Sequence, residues 1–359
     1  MTRRPISIAL AFWAVIGAAM AGDDVTIAKV YGPELPGTYK HPASITELDN
    51  GDLYVAYYGG GGEYVDDSCV WGGRLKKGQT QWTRPVVIAD TPFRGEGNPV
   101  VWQAPDGLVW LFYVQRYGET WSQSRIQAKI SRDGAQTWSD SFMVAFEMGM
   151  MARGRPIVLH DGDYLLPVYH ETGADRERTA PDTSSLFLRY NPKTHEWTPT
   201  HKIRSRTGNL QPEPVQLADD YLVAYCRPGG DYEPSTNRYL VRAESHDGGR
   251  TWSEGRDSPF ANPNAAVSFI RLRNGHLLLV YNDSMSERSP LTAAISTDND
   301  KTYPYRRNLA EGQNTFAYPM AIQTRDDKIH VVYTTNERTT IIHAVFEESA
   351  ILSHPAEDR

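Results

Sequence analysis

Phe269-Ile270-Arg271-Leu272-Arg273-Asn274-Gly275-His276-Leu277-Leu278-Leu279-Val280-Tyr281 is an apolar run, a tight polar turn and a second apolar run. Asn-Gly between β-rich runs signals a hairpin, because a two-residue primed turn needs positive φ at its centre. Working outward, Ser44–Leu48 runs into Leu53–Tyr57, and Ile157–Leu159 runs into Tyr164–Tyr169, in the same way. The turns fall at Asn50-Gly51, Asp106-Gly107, Asp161-Gly162, Asp219-Asp220, Asn274-Gly275 and Asp326-Asp327, about every 55 residues. A strand repeat of that period means radial repetition. Six copies predict an all-β chain, a six-bladed β-propeller of four-stranded antiparallel blades.

Length alone would suggest two domains for 359 residues, but the repeat runs unbroken from about residue 40 to residue 346. One domain over 22–359 is expected. The 23 Pro, 29 Gly and 20 Tyr suit many short strands, and no long stretch of 3.6 period suggests a substantial helix. A net charge of -7 with both signs interspersed argues against a nucleic-acid partner, which favours a basic face. Nothing in the sequence suggests membrane-surface binding.

Arg3-Arg4, an apolar run from Ile6 to Met20 and the small-x-small triplet Ala19-Met20-Ala21 have the layout of a secretory signal peptide over residues 1–21. About fifteen apolar residues are short for a membrane span. A secreted or periplasmic protein is expected. Export would permit a disulfide between Cys69 and Cys226, but they fall in the first and fourth repeats, which oppose each other in a six-bladed ring. Buried free thiols are the reading adopted. No Cys/His cluster has metal spacing, so neither metal nor cofactor is predicted.

A second phrase follows several hairpins: Ser131–Trp138, Ser245–Trp252 and Ser296–Tyr303. The middle copy, Ser245-His246-Asp247-Gly248-Gly249-Arg250-Thr251-Trp252, fits the Asp-box Ser-x-Asp-x-Gly-x-Thr-Trp at every fixed position. The aspartate can accept its own turn amides, the glycine can turn left-handed, and the aromatic ring can pack between blades. Asp133, Asp247 and Asp298 are therefore read as structural. Recurrence around a ring separates them, whereas catalytic groups must converge.

Convergence is expected near the propeller axis. Glu213 in Gln211-Pro212-Glu213-Pro214, Arg227 at the end of the fourth hairpin, Arg288 after the fifth and Tyr318 in Ala317-Tyr318-Pro319 each occur once. Their order among the Asp-boxes resembles the bacterial sialidase family, over about Tyr39 to Phe346. The resemblance implies a glycoside hydrolase acting on sialic acid or another acidic sugar. Tyr318 would be the nucleophile, Glu213 its base partner, Arg227 and Arg288 two of three carboxylate-binding arginines, and Asp67 the acid/base with Asp66 as rival. A phenol is a poor nucleophile at neutral pH unless something takes its proton, and a tyrosine avoids setting an anion against a carboxylated anomeric centre.

One departure is visible. The family's aromatic-Arg-Ile-Pro opening reads Tyr39-Lys40-His41-Pro42 here, so the first arginine is missing, and lysine has no planar fork. Lys40 and His41 are kept as substrate-binding candidates, with Arg155 and, from the end of the third hairpin, His170. Two alternatives stand beside hydrolysis. One is a uronate lyase using His41, His170 and Tyr318; the other is a non-catalytic carbohydrate-binding propeller with Trp and Tyr residues as sugar platforms, and Arg153 and Arg155 could bind an anionic sugar in either scheme.

Overall fold

The computed structural model describes residues 25–176 and 178–355; the expected signal peptide lies outside the described residues. Six sheets follow one another around an axis, each of antiparallel strands paired in chain order. Blade one is Tyr39–Glu47, Leu53–Gly60, Cys69–Leu75 and Val86–Ala89; blade two runs from Glu96–Gln103 to Phe142–Ala145. Blades four and five begin with Asn209–Gln216 and Ser268–Arg271. Blade three has a split inner strand, Met150–Ala152 and Ile157–Val158, both paired to Tyr164–His170. The ring closes in blade six, where Thr26–Tyr31 adds as outer strand to Thr340–Phe346. Ser349–Leu352 is the one α-helix among the described residues, and no described helix is long and apolar enough to cross a membrane.

The hairpin turns fold as their residues dictate: Gly51, Gly107, Gly162 and Gly275 all take positive φ, and Asp327 does so in the sixth copy. Alternation of apolar side chains then puts two greasy faces on every blade, and they bury against the neighbours. Tyr54, Val70 and Ile88 of blade one pack with Val101, Leu111 and Tyr113 of blade two. Each such side chain contributes about 1.5–3 kcal/mol on full burial.

The Asp-boxes lock the outer turns. Asp247 accepts the Arg250 and Thr251 amides at 3.0 and 2.9 Å and the Thr251 hydroxyl at 2.6 Å, while Gly248 and Gly249 take φ of 72° and 86°. Trp252 lies on Phe187 of blade three with ring centroids 4.6 Å apart. Asp133 and Asp298 repeat the pattern, with Trp138 beside Tyr54 and Tyr303 beside Phe260. Cys69 and Cys226 are buried free thiols.

Candidate functional site

Four of the six inner strands enter the ring through an irregularity in their pairing. Pairing skips between Lys40 and Ala43, Gly97 and Val100, Leu210 and Glu213, and Ala317 and Met320. The skipped pairs are His41-Pro42, Asn98-Pro99, Gln211-Pro212 and Tyr318-Pro319. Proline supplies no amide to the ladder, so a bulge is where a strand tolerates it. Asn98, Gln211 and Tyr318 take φ of 46°, 53° and 55°, and Asn264 in blade five takes 61°. Left-handed backbone at a non-glycine residue costs about 1–3 kcal/mol and persists where the surroundings over-determine it.

These bulged residues form a crown, and Tyr318 is its centre. The phenol oxygen accepts a hydrogen bond of 2.6 Å from Arg227 Nη1, which also donates to Gln211 Oε1 at 3.2 Å. Arg227 is buried and fully tied, its Nε donating to Asn264 and its Nη2 to the Tyr232 hydroxyl. Arg153, Arg227 and Arg288 lie 5.6, 5.7 and 5.5 Å from the Tyr318 ring centroid. Arg153 also donates to the carbonyls of Tyr318 and Pro319, at 2.9 and 3.0 Å, which pins the strained backbone. The His41 ring meets the Tyr318 ring edge-on at 4.2 Å; its Nδ1 bonds Thr334 Oγ1 and its Nε2 is buried without a partner.

Burial pushes the Tyr318 phenol up, but the charges of Arg227, Arg288 and Arg338 together outweigh it and hold it below the ordinary tyrosine value. Burial pushes His41 well down, with the same arginines adding to the effect, so its ring is neutral. Glu171 is partly buried beside the pocket, and burial pushes it up to about 7 against the pull of Arg227. Glu63, Tyr64, Trp121 and Arg176 close one side, with Tyr64 donating to the Arg176 carbonyl at 2.9 Å.

The sequence candidates divide. Tyr318, Arg227, Arg288 and His41 come together as anticipated. Glu213 does not reach the phenol: it faces Arg153 and Arg155, accepts the Arg155 amide, and is pushed up to about 8 by burial. Gln211, two residues earlier, stands beside the phenol instead, because the bulge turns it and not Glu213 toward the front of the shaft. Asp67 is exposed and accepts the Gly61 amide at 3.0 Å, and Asp66 pairs with Arg116 at 3.1 Å. Neither is among the residues that line the pocket, although Glu63 and Tyr64 of the same loop are. Lys40 is buried, but its ammonium turns back to the carbonyls of Leu35 and Gly37. His170 is held by the Met148 carbonyl and Lys202 on the outside of blade three, and Arg155 opens to the opposite mouth of the shaft.

Gln211, Asn264, Glu63, Glu171 and Arg338 were not singled out as site residues in the sequence. For Gln211 the available signal was its place before a proline at an inner-strand start; Asn264, which follows Pro263, and Glu63, in the loop after the first hairpin, lack that signal. Arg338 carried none: it sits in the last hairpin turn, where Asn336, Glu337 and Arg338 all have positive φ. Its carbonyl accepts the Lys40 amide at 2.7 Å, so it lies beside the place of the missing first arginine. It donates to the Tyr39 hydroxyl at 3.0 Å and pairs with Glu63.

Residues 51–331 match the family model of the BNR repeat-like domain. The chain belongs to that family. No curated protein sequence matches this BNR-repeat chain. Among solved structures it is similar to the Hadza microbial sialidase Hz136, at 16% identity and TM-score 0.73, covering 87% of this chain and 66% of that one. It is similar at 18% identity and TM-score 0.72 to a Dyadobacter fermentans protein of unknown function, covering 90% and 99% of the two chains. The intramolecular trans-sialidase of Ruminococcus gnavus gives 13% identity and TM-score 0.71 over 95% of this chain and 100% of that one. At these identities the likeness is one of fold: a sialidase-type BNR propeller.

Proposed function

We propose that this BNR propeller hydrolyses an acidic glycoside, with Tyr318 as nucleophile. The observation that carries the reading is the phenol oxygen 2.6 Å from Arg227 Nη1, with its ring flanked by three guanidinium groups. Arg227, Arg288 and Arg338 supply positive charge for a substrate carboxylate, Arg338 taking the part of the absent first arginine. The same charges favour the phenolate, so the nucleophile needs no carboxylate beside it. Tyr318 Oη attacks the anomeric carbon as the glycosidic C–O bond breaks, and Glu171 gives its proton to the leaving oxygen. Glu171 then takes a proton from water, whose oxygen displaces Tyr318.

Fluorogenic acidic glycosides, run with the wild type and Tyr318→Phe, test this. Turnover by the wild type and its loss in the variant are expected. Turnover that survives the substitution overturns the nucleophile assignment.

His41 favours a second reading, since its neutral ring lies against Tyr318 with Nε2 unpartnered. Tyr318 phenolate would then abstract the proton α to a uronate carboxylate, and the phenol so formed would give that proton to the leaving oxygen as the adjacent carbon–oxygen bond breaks. That product is an α,β-unsaturated acid that absorbs in the far ultraviolet, so incubation with a uronate polymer distinguishes the two. We also propose export through residues 1–21; N-terminal sequencing of the mature protein checks it, with a start at Gly22 expected.

A further inference from the structure

The shaft has a second mouth. There Arg155 lines a cavity of about 220 Å³ with Trp102, Pro156, Val158, Pro214 and Arg271, and no carboxylate is among its described lining residues. Arg155 Nε is buried with no hydrogen-bond partner, and Glu213 is the one described acid that acts on its charge. The acid that feels it most, Glu213, is pushed up to about 8 by burial and so is mainly uncharged at neutral pH. Arg271 has one Nη on the Gln216 carbonyl at 2.9 Å. A recessed guanidinium without a counter-charge is costly, and a carboxylate fits its fork.

The walls set the rest of the ligand. Trp102, Pro156, Val158 and Pro214 are apolar, and Val158 is 42% exposed. The adjoining cavity, which shares Trp102 and Arg155, is lined by Glu47 and Asp49, each near Arg325 at 3.5 and 3.9 Å. Those acids disfavour a dianion such as phosphate over a singly charged group. We propose that this mouth, opposite the Tyr318 pocket, is a second binding site for a small organic monocarboxylate with an apolar flank, held by Arg155 and Arg271.

Titration of the full chain with benzoate, followed by calorimetry and saturation-transfer NMR, tests it, with inorganic phosphate as comparator. Benzoate should bind the wild type and Arg288→Gln alike, weaken roughly tenfold in Arg155→Gln, and recover in part in Arg155→Lys. Phosphate should bind more weakly than benzoate. The Arg155 side chain makes no hydrogen bond in the fold, so both variants should melt like the wild type. Benzoate bound equally well by Arg155→Gln, lost in Arg288→Gln, or not bound at all overturns the site; phosphate bound more tightly than benzoate overturns the ligand class.

Discussion

Glu171 and Glu213 are both carboxyls lifted by burial, yet they stand in different places and should answer differently to substitution. Glu171 borders the pocket with a value near 7, which suits a group that must hold a proton for the leaving oxygen. It is protonated below pH 7, so kcat/KM should fall as pH rises through about 7. Glu171→Gln should cost on the order of 10²–10⁴ in rate and abolish that limb of the pH–rate profile. Glu213 lies behind the crown against Arg153 and should tolerate amide replacement, with a rate loss far below what a missing general base costs. Its carboxyl is raised in the fold, so the native state holds a proton that the unfolded chain releases between about pH 4.5 and about pH 8. The wild type therefore loses stability as pH rises through that window. Glu213→Gln should remove the slope, seen as denaturation midpoints that diverge in the variant's favour from pH 5 to pH 8. A rate collapse in Glu213→Gln would instead restore it as the base partner.

The Asp-box turn is held by hydrogen bonds that converge on one carboxylate, and the Trp252 contact with Phe187 couples it to the preceding blade. Asp247→Ala should lower stability by about 1–3 kcal/mol in urea unfolding and leave turnover per folded molecule unchanged. Turns and Asp-boxes were legible in the sequence because each is specified locally, by glycine, asparagine and aspartate at fixed offsets. The fold followed from counting them. The crown was only partly legible: Tyr318, Arg227, Arg288 and His41 were found, but a bulge shifts which residue of a strand faces the axis. That shift exchanged Glu213 for Gln211. Asp67 and His170 stand apart from the crown for a related reason, since both lie where loops or edges leave the sheet and periodicity no longer says which way a side chain points. Arg338 reaches the site from a turn of blade six, the blade of Tyr318, and meets Lys40 of blade one, a juxtaposition that closure of the ring creates.

Closure depends on a strand from the start of the chain, Thr26–Tyr31, pairing with Thr340–Phe346, and a buried histidine pair lies in that seam. His343 pairs with Ala28 across the ladder, and its Nε2 is 2.8 Å from His330 Nδ1. Asp326 attracts a proton to His330, but burial, with Lys328, prevails and holds its value down to about 4; burial and His330 itself hold His343 down to about 3. The unfolded chain takes up both protons near pH 6.5, before the folded one does, so stability is lost progressively as pH falls from about 6.5 toward about 4. Charging either ring puts a cation in the buried seam, and charging both sets two cations at hydrogen-bond distance from each other. The propeller should therefore be acid-labile, and amide exchange in Thr26–Tyr31 and Thr340–Phe346 should accelerate before exchange in blades two to five. His343→Gln, which cannot take up a proton, should flatten the pH dependence of the melting temperature between pH 6.5 and pH 4. A slope unchanged in that variant would place the acid sensitivity elsewhere in the ring.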